Sequence, residues 1–334
     1  MILVTGATGI LGRVIVLELL KRGKTVRATK RKSSNLEEVK DSFRFYTENH
    51  TEFFNKIEWI NVDFEDIHSL QNALNGVEEV YHCAAKVSFH PKDKRKMYKT
   101  NIEGTKQLLY ASENSSVKKF LFVSSIAVLD GFNENGELDE SSDFNPKIDH
   151  SSYAISKHFS EMEVWRASAE GLNVAIVNPG LIIGSGNWNE SSGTLFKELG
   201  ENAYTFSGGT SYVDVRDVAK ISVELMENNI FGERFILISE NKKYEEIANF
   251  IKQKLGKPAT KIIPNGLLKV GVFLNSILGW LISPLKMANK VNVQSVTEFN
   301  KISNKKVKEK LNYQFIPLEE SLAFHLENYI KSNK

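Results

Sequence analysis

The 334-residue chain holds a single cysteine, Cys83, so no disulfide can form within it. That fits a reducing compartment. Cys83 closes an apolar run, and a packed thiol is the plainer reading than a nucleophile. No C-x-x-C and no H-E-x-x-H occurs, so metal chemistry has no motif to stand on. An excess of one charge is also lacking: 43 Lys and Arg against 41 Asp and Glu leave a net +2. Such a balance carries no global signal for nucleic acid or membrane. The lysine clusters Lys92–Lys99 and Lys301–Lys310 read as solvated helix faces.

No apolar run is long and clean enough to span a bilayer. Leu267–Leu285 comes near the required length, but Lys269, Gly271, Asn275, Gly279 and Pro284 interrupt it. Three readings stay open for it: a helical pair packed on a substrate region, a lid over an apolar pocket, or contact with a membrane surface. The sequence begins directly on a strand, which leaves no room in it for a signal peptide. The expected location is cytoplasmic.

What is present begins at once. Ile2–Val4 reads as a buried strand and runs into Gly6, Gly9 and Gly12, spaced G-x-x-G-x-x-G. An amphipathic segment carrying Val14, Ile15, Leu17, Leu19 and Leu20 follows as a helix. A strand, a glycine turn and a helix bring backbone N–H groups and a helix N-terminus to one point, which attracts a pyrophosphate. Gly6, Thr8, Gly9, Ile10, Leu11 and Gly12 are therefore candidate cofactor contacts.

The first half alternates strands and helices. Strands are predicted at Ile2–Thr5, Thr25–Thr29, Ile57–Val62, Glu79–Cys83, Phe120–Ser124 and Val174–Asn178. Helices are predicted at Gly12–Arg22, Ile67–Asn75, Met97–Asn114 and Ser151–Gly171. This order means right-handed crossovers and an α/β, doubly wound parallel sheet. Ser34–Lys56 reads as a surface helix plus loop without chemistry, and Gly184–Asn202 as a loop over the site. Residues 1–178 form the expected dinucleotide-binding domain. Residues 179–334 form mainly a smaller, mostly helical substrate region, with segments near 211–240 returning to the core.

In a dinucleotide site, an acid after the second strand holds the ribose 2′-OH, and a base pairs with a 2′-phosphate. Here that strand ends in Lys30-Arg31-Lys32-Ser33-Ser34, without an acid. NADP(H) is favoured over NAD, with Arg31 and Lys32 as its readers and Arg13 as a further contributor. Asp63, followed by Phe64, could hold the adenine amino group. The small residues Ala84 and Ala85, before Lys86, would let the cofactor pass close to the sheet.

Tyr153 and Lys157 stand at i and i+4, on one helix face. A tyrosine has a pKa of about 10, and an adjacent ammonium lowers it by favouring the phenolate. Ser124-Ser125 ends the fifth strand, where a hydroxyl can hold a carbonyl oxygen while Tyr153 transfers a proton.

With these motifs in order, the chain resembles an extended short-chain dehydrogenase/reductase of the NAD-dependent epimerase/dehydratase family. The resemblance rests on the glycine turn, Asp63, His82-Cys-Ala-Ala85, Asn101, Ser124-Ser125, Tyr153-x-x-x-Lys157, Asn178-Pro179-Gly180 and Tyr212–Ala219, and reaches the C-terminal segment. It implies Tyr153 as catalytic acid/base and Lys157 as holder of the nicotinamide ribose. It implies Ser125 as orienter of the substrate oxygen and Asn101 as a support through water or backbone. The chain after Pro179, near Ile182, would contact the carboxamide.

The basic turn at Lys30-Arg31 and the lack of an arginine in Gly208–Tyr212 point away from nucleotide-sugar epimerases. They point toward the dihydroflavonol 4-reductase and 3β-hydroxysteroid dehydrogenase branch. Phe89, Leu129, Trp188 and Phe196 could line an apolar pocket, or simply be packed. The leading expectation is NADP(H)-dependent reduction of a ketone or aldehyde, or oxidation of the alcohol. An NAD-dependent nucleotide-sugar epimerase/dehydratase is the alternative, and a nucleotide-sensing protein without turnover the third. By the same resemblance, the two long helices near Asn101 and Tyr153 would pair two copies into a homodimer.

Overall fold

The computed structural model describes residues 1–188, 191–278 and 286–333. Six strands lead to Pro179: β1 (Ile2–Thr5), β2 (Val26–Lys30), β3 (Glu58–Asn61), β4 (Glu79–His82), β5 (Lys119–Val123) and β6 (Asn173–Pro179). Beyond it come β7 (Leu181–Ile183), β8 (Tyr204–Thr205), β9 (Gly209–Asp214), β10 (Glu233–Leu237), β11 (Glu240–Lys243) and β12 (Lys261–Ile262). Strands β1–β6 and β10 form one seven-stranded sheet in the order β10-β6-β5-β4-β1-β2-β3. Every pairing in it is parallel.

The inner strands are apolar on both faces because helices cover both. Side chains alternate across a strand. Val4, Leu121, Val123, Ala175 and Val177 therefore enter one core. Leu3, Val80, Phe120, Phe122, Val174 and Ile176 enter the core on the opposite face. The first core is closed by the helices Ile10–Lys21 and Val215–Glu227, which pack on each other. A third cluster belongs to the C-terminal region. There Ile247 and Ile251, one turn apart, meet Leu318, Leu322 and Leu326 from the last long helix.

Strand order reverses between β1 and β4, and a doubly wound sheet opens its ligand crevice beyond the strand ends at that point. Thr5, His82, Val123 and Pro179, the last residues of β1, β4, β5 and β6, mark the crevice floor.

Three expectations need correction. The insertion Ser34–Lys56 holds two helices, Leu36–Phe43 and His50–Asn55, and buries Val39 and Phe43 in the main core. Its apolar residues are sparse, so their burial does not show in the local pattern. The helix predicted over Met97–Asn114 runs without interruption from Lys94 to Glu113 but holds one π-helical turn, Lys99–Glu103, centred on Asn101. Such turns are frequently found at functional sites. The segment Gly184–Asn202 is not all loop, since Leu195–Glu201 is helical. The apolar stretch begins as the helix Asn265–Leu278, and its remainder, 279–285, lies outside the described residues.

Candidate active site

The glycine turn is built by close approach. Gly6 has φ +64°, and a Cβ there would stand 2.7 Å from the Ala84 nitrogen at the end of β4. At Gly12 a Cβ would fall 2.3 Å from the Gly6 carbonyl oxygen. Any side chain at either position would push the helix off the strand ends. The helix Ile10–Lys21 has Gly9 as its N-cap, no capping side chain and no acid in its first turn. Its first N–H groups and its dipole are thus directed to an anion. Thr8 and Ile10 are half-buried beside this end, while Leu11 turns into the core.

Arg13 is already engaged within the protein. It is buried, pairs with Glu38 through two N–H···O bonds at 2.7 and 2.8 Å, and also donates to the Gly9 and Thr8 carbonyls. Glu38 in turn accepts the Asn187 backbone N–H at 2.8 Å. The insertion thereby ties the glycine turn to the start of the segment after β7. Arg31 and Lys32 are exposed, and no ion pair among the described residues involves either. Their turn is fixed locally, by Arg31 N donating to Ser34 Oγ at 3.1 Å. A phosphate at this turn would meet cations that no carboxylate already engages.

Asp63 is exposed just past β3, where its carboxylate accepts the Glu65 N–H at 3.0 Å. Phe64 packs under the crevice, its ring 5.8 Å from that of His82. His82 is buried between two hydroxyls, Thr5 Oγ1 at 2.6 Å and Thr105 Oγ1 at 2.9 Å. Burial pushes its pKa down to about 3, so the ring is neutral. Thr5 also accepts the Ala84 N–H at 3.3 Å, which fixes the small-residue shelf Ala84-Ala85 against β1.

Asn101 holds the backbone of Lys86, the residue after this shelf. Its Oδ1 accepts the Lys86 N–H at 2.7 Å, and its Nδ2 donates to the Lys86 carbonyl at 3.0 Å and to Ser156 Oγ at 2.9 Å. The π-turn is thus pinned both to the shelf and to the helix that carries Tyr153.

That helix, Ser152–Ala169, is capped by Ser151, whose Oγ accepts the Ala154 N–H at 3.1 Å. Tyr153 lies in its first turn, with the Ser125 hydroxyl near its phenol. Burial raises the phenol above its ordinary value, and the Ser125 hydroxyl opposes that rise. One turn on, buried Lys157 donates to the Val123 carbonyl at 2.6 Å and lies 4.6 Å from the Phe122 ring centroid. Burial pulls its pKa down to about 8, with Glu161 acting against that fall. In this structure Lys157 is bound to the strand end.

Three participants escape a reading of the motifs. Buried Glu161 accepts Ser124 Oγ at 2.6 Å, Asn178 Nδ2 at 3.2 Å and Arg234 Nη1 at 3.3 Å. Asn178 also donates to the Ser125 carbonyl at 3.1 Å. Glu161 sits four residues after Lys157 on the same face, a spacing that is visible in sequence. Arg234, on β10, is too far along the chain to be paired with it by inspection.

Past β6, Gly180 lies so close to β9 that a Cβ would be 2.4 Å from the Ser211 carbonyl oxygen. Pro179 pairs in register with Leu237, and Ile182 with Val213. Of the four apolar wall candidates, Phe89 stands at the site, its ring edge-on to Tyr153 at 6.1 Å. Leu129 and Phe196 are buried in packing clusters. Trp188 packs against Phe45, Phe196 and Tyr329.

The sequence model of the NAD dependent epimerase/dehydratase family matches residues 2–237. The chain belongs to this family. It is an NAD(P)-dependent enzyme of the extended short-chain dehydrogenase/reductase type. It is 30% identical over 271 residues to sterol demethylase protein B of Methylococcus capsulatus, covering 80% of this chain and 78% of that one. It is also 30% identical over 246 residues to cinnamoyl-CoA reductase 2 of Medicago truncatula, with 70% of each covered. Among solved structures, gox2253 superposes with a TM-score of 0.83 at 26% identity, over 99% of this chain and 98% of that one. Among the described residues no group of His, Cys, Asp and Glu could hold a metal ion, and no helix is long and apolar enough to cross a membrane.

Proposed function

We propose that this enzyme uses NADP(H) to reduce a ketone or aldehyde of a small apolar molecule, or to oxidise the corresponding alcohol. The observation that carries the reading is the convergence of Tyr153, Ser125 and Phe89 at the C-terminal edge of the sheet, with Lys157 one turn along on the Val123 carbonyl. When bound, the cofactor supplies or takes the hydride. The Tyr153 hydroxyl gives its proton to the substrate oxygen, and the Ser125 hydroxyl holds the same oxygen as charge builds on it. Lys157, anchored on Val123, holds the ribose and offsets the negative charge left on the phenol. Asn101 keeps the shelf and the helix in place.

Support for a nicotinamide dinucleotide comes from the cradle at Gly6 and Gly12 and the uncapped helix N-terminus. Support for its 2′-phosphate comes from the carboxylate-free turn at Arg31 and Lys32. A reductive reaction agrees with the name of the Medicago relative. The substrate region is taken to lie mainly in residues 179–334, with segments near 211–240 returning to the core.

The test is a titration of the purified chain with NADPH and NADH, followed by a screen of aryl, alicyclic and aliphatic carbonyl compounds. Loss of NADPH fluorescence is the readout, and Tyr153→Phe is the control. The variant is expected to bind cofactor normally and to lose about 10²–10⁴-fold in turnover. Wild-type turnover in that variant removes Tyr153 from the chemistry. Tightly retained NAD with interconversion of nucleotide sugars favours the epimerase instead.

A further inference from the structure

The helix Asn265–Leu278 turns an apolar face outward. Leu267 is 63% exposed and Val270 53%, and Leu274 and Phe273 are exposed beside them. At 100° per residue, Leu267, Val270 and Leu274 fall within an arc of about 60°, a stripe rather than a scatter. The helix also packs on its neighbour Lys290–Thr297, and a Cβ at Gly271 would stand 3.5 Å from that of Ala288.

Along the sequence, the charge on either side of this stripe is of one sign. Between Glu246 and Glu298 the sequence carries seven lysines and no acidic residue, whereas the whole chain is nearly balanced. Lys254, Lys257, Lys261, Lys269 and Lys290 are exposed. Only Lys290 of these has a carboxylate partner among the described ion pairs, Asp149 at 3.8 Å. A second copy of the same face would set lysine against lysine. An apolar stripe flanked by unbalanced lysines instead matches an interface where hydrocarbon lies beneath anionic headgroups.

We propose that the helix Asn265–Leu278 docks the enzyme on an anionic phospholipid surface. Its described residues cover about 21 Å at 1.5 Å per residue, and this stretch lies in the plane of the interface. Its neighbour reaches the active-site mouth: Asn292 Nδ2 donates to the Phe89 carbonyl at 3.3 Å, and Phe89 lies against Tyr153. Docking therefore brings the mouth close to the lipid surface.

Co-sedimentation of the full chain with phosphatidylcholine vesicles, with and without phosphatidylglycerol, tests this. The protein is expected to sediment only with the anionic vesicles. It should be released at about 0.5 M salt, where the screening length falls to roughly 4 Å. Leu267→Glu with Val270→Glu, and separately Lys261→Glu with Lys269→Glu, should each weaken binding about tenfold or more. Both pairs are exposed, so the unfolding midpoint and NADPH affinity should be unchanged. No binding to anionic vesicles, or equal binding by the variants, overturns the proposal. So does a dimer in solution that Leu267→Glu dissociates, since the occupant is then a second copy. Sedimentation does not read turnover, so the result stands apart from the carbonyl-reductase reading.

Discussion

The Glu161 carboxylate accepts a hydrogen bond from the Ser124 hydroxyl at 2.6 Å, one residue before Ser125. Through Asn178 and Arg234 the same carboxylate reaches β6 and β10. One buried charge therefore joins the Tyr153 helix to residues on or next to three parallel strands, and sets where the turn after β5 places Ser125.

Removing that charge should loosen the site before it unfolds the chain. Glu161→Gln keeps an acceptor for Ser124 and should cost about 1–3 kcal/mol of stability. Glu161→Ala leaves Arg234 facing a gap and should cost about 2–4 kcal/mol. In both variants turnover should fall more than NADPH affinity, because the cofactor cradle at Gly6 and Gly12 is untouched. Urea unfolding and a cofactor titration give the two quantities. Wild-type stability in Glu161→Ala would show that the carboxylate holds nothing together.

Cofactor choice should rest on the turn after β2. Arg31 is exposed and has no carboxylate partner among the described ion pairs, so a 2′-phosphate would gain a charge-assisted contact without breaking another. Such contacts contribute about 1.5–3 kcal/mol, so Arg31→Ala should weaken NADPH by roughly 10- to 150-fold. NADH affinity should hardly change. Equal weakening of both, measured by fluorescence titration, would mean that Arg31 does not read the phosphate.

Acid should destabilise the fold through His82. In the folded chain its pKa is pushed down to about 3, because the ring is buried between Thr5 and Thr105. In the unfolded chain it is about 6.5. The folded state thus binds fewer protons between these values. The contribution is complete above about pH 6.5 and is lost as pH falls toward 3, by up to about 1.4 kcal/mol per pH unit. Asp217, raised to about 6 by burial, works the other way between its ordinary value and 6. The comparison must therefore be with His82→Gln, in which Asp217 still titrates. The gap in stability between wild type and variant should narrow as pH drops from 7 to 5, by about 2 kcal/mol. A constant gap would mean that His82 titrates alike in the folded and unfolded chain.

What the chain discloses in order along its length was legible. The strands β1 to β6, the glycine turn and the Tyr153–Lys157 spacing are local patterns, each set by period or by adjacency. The contacts that complete the site are not local. Arg13 looked free for a phosphate because Glu38, which saturates it, follows 25 residues later in what reads as a plain surface insertion. The Asn101 turn looked like continuous helix because a π-turn leaves no mark in apolar spacing. Leu129 and Phe196 could be read as pocket walls or as packing, because composition does not tell the two apart, and the structure packs both.

The last expectation concerns assembly, and it separates two apolar surfaces. Phe159 and Met162 are each 51% exposed on the Tyr153 helix, and Tyr110 is exposed on the helix Gly104–Glu113 that packs beside it. These residues lie on neighbouring helices, away from the lysine-flanked stripe in sequence, and they are not isolated. In a two-fold pair each helix would meet its own copy, so every exposed ring would be covered twice over. Covering about 800 Å² on each copy is enough for a stable dimer. Light scattering at micromolar concentration should give the mass of a dimer. Phe159→Glu should return the monomer, because it sets two carboxylates against each other at the axis and removes the apolar ring. The same variant should still sediment with anionic vesicles, since it leaves Leu267 and Val270 alone. A monomeric wild type would refute the pairing, whereas loss of vesicle binding in Phe159→Glu would show that docking depends on the assembled dimer.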